Sequence, residues 1–232
     1  MASWKDVWAA RRVNPEHGSH FAQIMAADGL DTKFGSVTEH CWREFVRSSA
    51  RKLGIAPGCS VFEVGCGAGA YLMDLYDAGC EVAGLDASNS LLRYAAENMP
   101  RGRWIQKDAV QLDPIEQFDY VISCAVFLYF PSLRYAADVL ARMAAKARRG
   151  IMILDVPDAA KEQEALAFRR RLIGEAAYAE HYEGLNHLYY SKDWFETTVR
   201  NLGLNPVQME DQSIEGYANS AFRYNVYAWR EE

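Results

Sequence analysis

The stretch that most constrains this chain is Val61-Phe62-Glu63-Val64-Gly65-Cys66-Gly67-Ala68-Gly69-Ala70-Tyr71-Leu72. A short apolar run ends in three glycines at alternate positions. A helical pattern follows at once: Leu72, Leu75 and Tyr76 share a face, and Gly79 closes it. The spacing predicts strand, tight loop, helix. Glycine permits positive φ and lets a ligand approach the main chain. A helix start beside such a loop offers unpaired N–H groups. Parallel α/β sheets build cofactor sites this way, at the carboxyl ends of their strands.

Read as Gly65-x-Gly67-x-x-Ala70, the loop also fits a nicotinamide dinucleotide fingerprint. Two neighbours point elsewhere. Glu63 stands at the end of the strand, where a carboxylate suits a cation better than a pyrophosphate. Asp86 ends the next apolar run, Val82-Ala83-Gly84-Leu85, where a carboxylate can accept both hydroxyls of a ribose. On these residues the chain resembles the class I S-adenosylmethionine-dependent methyltransferases. Their first motif, acidic-x-Gly-x-Gly-x-Gly, matches Glu63 to Gly69, and their acidic residue after strand two matches Asp86.

The resemblance implies an α/β, Rossmann-like seven-stranded sheet, mostly parallel with an antiparallel last strand and helices on both faces. It implies S-adenosyl-L-methionine as cofactor, held by Glu63, Gly65, Cys66, Gly67 and Gly69, then by Asp86, Ala87 and Ser88. A carboxylate after strand three bonds the adenine amino group in that family, and Asp108 with the Ala109 backbone holds that place. Cys124, at the end of strand four, and Trp42, on the helix before strand one, complete the expected cofactor wall. A nicotinamide-dependent oxidoreductase is the alternative enzyme, disfavoured by Glu63 and by the lack of a second nucleotide-binding half. A protein that binds the cofactor without turnover is the non-enzyme alternative.

Along the chain, Trp4 and Trp8 are one helical turn apart, and Asn14-Pro15-Glu16-His17-Gly18 breaks that helix. Phe21, Ile24 and Met25 repeat at helical spacing up to the turn Asp28-Gly29-Leu30-Asp31. Ser36-Val37-Thr38-Glu39 reads as a capping box for a helix with Trp42, Phe45, Val46 and Leu53 on one face. Residues 1–57 are thus expected to be a helical cover within a single domain spanning 1–232. Ser88 starts another helix, and Arg103 to Ala109 is a short strand ending in a carboxylate. Phe118 to Cys124 is a near-continuous apolar run, the mark of a parallel strand buried on both faces. Its continuation, Cys124-Ala125-Val126-Phe127, departs from the Asn/Asp-Pro-Pro-aromatic run of nucleic-acid amino-methylating enzymes. Gly150 introduces strand five, Ile151 to Leu154. Residues 158–190 read as a substrate lid, with a charged helix over 158–182 and a cluster of Tyr178, His181, Tyr182, His187, Tyr189 and Tyr190. The Arg169-Arg170-Arg171 triplet reads as a solvated face. Leu204 to Met209 and Phe222 to Trp229 read as a terminal edge pair with unequal faces.

The formal net charge of −6 argues against a nucleic-acid backbone as partner. The five cysteines form no C-x-x-C pair, so neither a zinc site nor a disulfide framework is expected. No apolar run is long enough to cross a bilayer, and the first residues show no signal pattern, so a cytoplasmic protein is expected. Nothing sets the oligomeric state.

Methyl transfer to an alcohol or phenol needs a base, usually His near neutral pH, whereas a carboxylate needs none. Among the histidines, His187 has the best setting, in Gly184-Leu185-Asn186-His187-Leu188-Tyr189-Tyr190. The pattern from Glu63 to Tyr190 is similar to small-molecule O-methyltransferases of natural-product pathways. That resemblance implies a hydroxyl of a small-molecule acceptor, possibly carrier-bound, with His187 as base and Glu215 orienting it. N- or carboxyl-methylation of a small molecule is the alternative.

Overall fold

The computed structural model describes residues 3–14, 16, 18–30 and 37–231. Among them seven strands form one sheet: β1 (Ser60–Val64), β2 (Glu81–Asp86), β3 (Arg103–Gln106), β4 (Phe118–Cys124), β5 (Ala147–Pro157), β6 (Leu204–Asp211) and β7 (Arg223–Arg230). Their order is β3-β2-β1-β4-β5-β7-β6. The first five pair in parallel, and β7 runs antiparallel to both β5 and β6. The Rossmann-like arrangement expected from the glycine motif is the one observed.

The helices are α1 (Trp4–Ala10), α2 (His20–Ala27), α3 (Glu39–Leu53), α4 (Leu72–Asp77), α5 (Asn89–Asn98), α6 (Leu133–Lys146), α7 (Glu162–Ile173), α8 (Glu175–Tyr182) and α9 (Lys192–Asn201). They cover both faces of the sheet, which separates two apolar clusters. One joins α2, α3, α4 and α5 to the sheet through Ile24, Val46, Leu53, Leu72 and Leu91. The other joins α6 and α9 through Val139, Leu140, Met143, Phe195 and Val199. Each large side chain buried this way contributes about 1.5–3 kcal/mol.

Helix α3 shows how local sequence sets these contacts. Trp42, Phe45, Val46, Ser49, Ala50 and Leu53 are its buried residues, one stripe at helical spacing. The Thr38 hydroxyl accepts from Cys41 N at 3.1 Å, and Gly54 ends the helix at φ 99°. Thr38 is therefore the cap; Ser36, the expected one, lies outside the described residues. Residues 158–182 are not one helix. Gly174, at φ 85°, divides them into α7 and α8. Strand β7 is not at the edge. It lies between β5 and β6, and Arg223 through Ala228 are all buried. The edge position falls to β6, whose burial alternates.

The chain order reverses between β1 and β4, so their carboxyl ends diverge and leave a crevice, the usual ligand position in an open α/β sheet. Among the described residues no helix is long and apolar enough to cross a membrane.

Candidate functional site

A cavity of about 650 Å³ opens over that crevice. Its volume lies within the range of roughly 300–1,000 Å³ usual for small-molecule sites. It brings together Glu63, Gly65, Cys66 and Gly67 with Asp86 and Ala87, Asp108 and Ala109, Cys124, and Trp42. Gly69 and Ser88 stand behind this lining and shape it. Gly69 N donates to Cys66 O at 2.8 Å, and Ser88 N donates to Asp86 Oδ1 at 2.7 Å.

The floor is acidic. Glu63 is 2 % exposed, and its Oε2 has no hydrogen-bond partner among the described residues. Burial, with Asp28 and Asp86 nearby, pushes its carboxyl well above the usual range. Asp86 accepts from Gly67 N at 3.0 Å as well as from Ser88 N, and burial raises its carboxyl too. The third acid is Asp28, just past α2. Its carboxylate accepts from Ala68 N at 2.6 Å and from Ala70 N at 2.8 Å. Those are the loop donors that a pyrophosphate would need. Burial moves Asp28 up to about 7 despite both bonds. The closeness of this contact explains Gly67: a Cβ there would stand 2.1 Å from Asp28 Oδ1. In the sequence Asp28 stands only in a turn signal, which does not mark this role.

Asp108 sits at the far side of the floor. Tyr135 donates its hydroxyl to Asp108 Oδ1, and Lys5 Nζ lies 2.9 Å from Oδ2. Burial raises this carboxyl, but the two donors outweigh it and hold it below the usual range. Trp42 contributes both to the core and to the wall: it is 4 % exposed and donates its indole N–H to Ala70 O at 2.9 Å.

The opposite wall is aromatic. Helix α1 lies across it, where Trp4 stacks on His187 with ring centroids 4.8 Å apart and meets Tyr129 at 4.8 Å. The Trp4 indole N–H donates to Asn186 O at 2.9 Å, tying α1 to the loop before α9. His187 lines the cavity. Its partner is Arg169, whose Nη1 lies 2.6 Å from His187 Nδ1. A guanidinium has five donors and no acceptor, so Nδ1 must be the unprotonated nitrogen and Nε2 carries the proton. Burial, then the Arg223 and Arg169 charges, lowers the imidazole well below its ordinary range, so the ring is neutral.

Glu215 does not orient this ring. It lines a separate pocket with His40 and Cys41, and accepts from Cys41 Sγ at 3.8 Å. The long turn before β7 carries it to the side of α3. The solvated-face reading of the arginine triplet is also corrected in part: Arg170 and Arg171 are exposed, but Arg169 is 3 % exposed.

Residues 61–150 match the family described as "Methyltransferase domain". A curated relative, the magnesium-protoporphyrin O-methyltransferase of Rhodobacter capsulatus, is 32% identical over 77 residues, 32% of this chain. The match spans about a third of that relative's length. Among solved structures, the magnesium protoporphyrin IX methyltransferase of Synechocystis PCC 6803 with bound SAH superposes with a TM-score of 0.59 at 18% identity, covering 98% of this chain and 92% of that one. The N-methyltransferase NodS of Bradyrhizobium japonicum WM9, solved with S-adenosyl-l-homocysteine (SAH), gives 0.58 at 16% identity, with 82% and 88% covered. Residues 61–150 thus carry the methyltransferase-domain match, and the fold is the one shared by the solved class I, S-adenosylmethionine-dependent methyltransferases. S-adenosylmethionine is the cofactor of that class.

Proposed function

We propose that the protein transfers a methyl group from S-adenosylmethionine to an oxygen of a small-molecule acceptor. One observation carries the cofactor half of this reading: three carboxylates, Glu63, Asp86 and Asp28, surround the glycine loop, and Glu63 Oε2 is buried without a partner among the described residues. A buried acceptor left unpaired is costly unless a ligand satisfies it. The cationic methionine end of S-adenosylmethionine is such a ligand. A nicotinamide dinucleotide is not, because Asp28 already holds the Ala68 and Ala70 N–H groups, and its charge repels a pyrophosphate.

In this reading Asp86 accepts the ribose hydroxyls and Asp108 the adenine amino group. Glu63 and Asp28 face the methionine end. When bound, the cofactor supplies a methyl carbon on a sulfonium, open to in-line attack. The protein contributes position and dryness: Trp4, Trp8 and Tyr129 close the outer wall. Alignment of this kind lowers a barrier by roughly 7–11 kcal/mol. The oxygen preference draws on the O-methyltransferase relative and on a wall suited to a flat apolar acceptor. A natural-product hydroxyl, free or carrier-bound, remains within the proposal. His187 as its base would need the lone pair on Nε2, and the Arg169 contact puts the proton there. An oxygen that arrives already ionised fits the neutral donor imidazole better.

Isothermal titration of the full chain tests the reading. Saturable binding of S-adenosylmethionine and SAH, with none of NAD, is expected. NAD binding without SAH binding overturns it.

A further inference from the structure

Two charged side chains at the acceptor end have no task in the reading above. Arg169 comes from α7 in the lid, and Arg223 opens β7; they are 3 % and 5 % exposed. Arg169 donates to His187 Nδ1, to the Tyr189 hydroxyl and to Ala165 O. Arg223 donates to Asp155 O, at 3.5 Å. Among the described residues, neither guanidinium is within ion-pair distance of a carboxylate.

One nearby buried carboxylate is Asp155, at the end of β5, held at φ 61°. Its side chain accepts from the Tyr217 hydroxyl at 3.1 Å and from Gln212 Nε2 at 3.5 Å. Asp158, also buried, lies next along the chain at this end of β5, where its side chain accepts from Ala160 N at 2.9 Å. Among the described residues, both guanidiniums are thus buried with no carboxylate in direct contact. Burying a charge without a counter-charge is unfavourable, and an anionic ligand removes the deficit.

His187 connects this charge to the cavity. Its Nδ1 faces Arg169, its ring stacks on Trp4, and Nε2–H is its remaining donor. We infer that the acceptor bears a carboxylate, received at His187 Nε2–H with the Arg169 and Arg223 guanidiniums behind it. This deepens the methyl-transfer reading and rests on it, since the carboxylate lies in the acceptor half of the same cavity. The rings of Trp4, Tyr129 and Tyr182 around His187 suit an aromatic or polyene body on that carboxylate.

The test uses the full chain loaded with SAH and three probes of one shape: 2-naphthoate, 2-naphthamide and 2-naphthyl phosphate. Titration calorimetry is expected to show naphthoate binding at least about tenfold more tightly than naphthamide, as charge-assisted bonds dictate. Arg223→Met and Arg169→Met should each remove most of that preference while SAH affinity stays near wild type. His187→Phe keeps a ring against Trp4 and leaves both arginines in place; it should narrow the preference too, and it decides the matter if an arginine variant does not fold. Equal binding of naphthoate and naphthamide, no measurable binding of either, or a preference that survives in the folded variants overturns the inference. Tighter binding of naphthyl phosphate also overturns it, in favour of a phosphate ester. Failure of the methyl-transfer reading is seen separately, as no uptake of SAH; the naphthoate preference is then measured on unloaded protein and still decides the anion site.

Discussion

The floor of the cavity and its outer wall carry opposite charge. At the floor, Glu63, Asp86 and Asp28 crowd around one loop, and burial pushes all three carboxyls up. At the wall, Arg169 and Arg223 stand behind a neutral His187. The floor gathers carboxylates, and the wall holds two buried guanidiniums with no carboxylate in direct contact among the described residues. Each is therefore incomplete in a specific way: the floor calls for a cation, the wall for an anion. A sulfonium donor and an anionic oxygen acceptor drawn to the two ends would meet between them. In the proposed reaction, this charge arrangement would steer the reactants without any side chain removing a proton.

The comparison breaks most sharply at Asp86. Asp86→Ala removes a carboxylate that two ribose hydroxyls share in the proposed complex. A hydrogen bond to a charged group contributes roughly 1.5–3 kcal/mol, so SAH affinity should fall by about tenfold to a few hundredfold. Titration calorimetry beside a melting curve checks it; wild-type affinity in a folded variant removes Asp86 from the site.

The next effect is a pH dependence that belongs to the floor alone. Asp28 titrates at about 7, against 3.8 for an ordinary aspartate. A ligand ammonium needs its ionised form. Below about 7 binding therefore costs a deprotonation, and at one unit below that value affinity should be about tenfold weaker. SAH affinity should rise with pH up to neutrality, a window in which the ligand's amino group stays charged. Asp28→Asn should flatten the curve. Unliganded stability has the opposite slope. The unfolded chain ionises this group near 3.8 and the folded one near 7, so stability falls as pH rises between those values. If affinity is as pH-dependent in Asp28→Asn as in wild type, Glu63 or Asp86 is the titrating group.

The two ends also differ in how much of them the sequence discloses. The floor is nearly contiguous. Glu63 to Gly69 is one motif, and Asp86 and Asp108 end the next two strands, so strand spacing alone locates them. Asp28 escapes because its partners, Ala68 and Ala70 N–H, are about forty residues away. The turn it sits in would need the same residue for purely local reasons. The wall is assembled from α1, α7, the loop before α9, and β7. Arg169 is hidden inside an arginine triplet on a charged helix; only its spacing from Ala165, one turn earlier, marks an inward face. Arg223 is hidden by the alternation of β7, which suggests an edge strand with a polar face. Placing β6 outside β7 buries both faces, and no period within β7 encodes that. His187 is found by its aromatic surroundings, but its tautomer depends on Arg169, which is distant in sequence.

A smaller effect tests whether α1 is part of the wall. Trp4 contacts His187, Tyr129 and Tyr182, and aromatic pairs contribute about 0.5–1.5 kcal/mol each beyond their buried area. Trp4→Ala should weaken 2-naphthoate binding several-fold and leave SAH affinity near wild type. Tighter naphthoate binding in the variant would show instead that Trp4 occupies the acceptor's place.

The smallest effect probes an ion pair that joins the two ends. Lys5, on α1, reaches from the wall to Asp108 on the floor, with Nζ 2.9 Å from Oδ2. The lysine side chain is 63% exposed and the aspartate 26%, so solvent screens the pair. Such pairs contribute about 0–1 kcal/mol. Lys5→Ala should therefore leave the melting temperature almost unchanged. It should also release Asp108 Oδ2 to accept the adenine amino group, raising SAH affinity by roughly two- to threefold, which is well within the strength of such a pair. Added salt weakens the pair in the wild type, so the gain should shrink as ionic strength rises. Asp108→Asn gives the contrasting result: it loses the charged acceptor and should weaken SAH binding, though less than Asp86→Ala, since one amino group is at stake rather than two hydroxyls. A loss of SAH affinity in Lys5→Ala would mean that closing α1 over the adenine contributes more than freeing its acceptor.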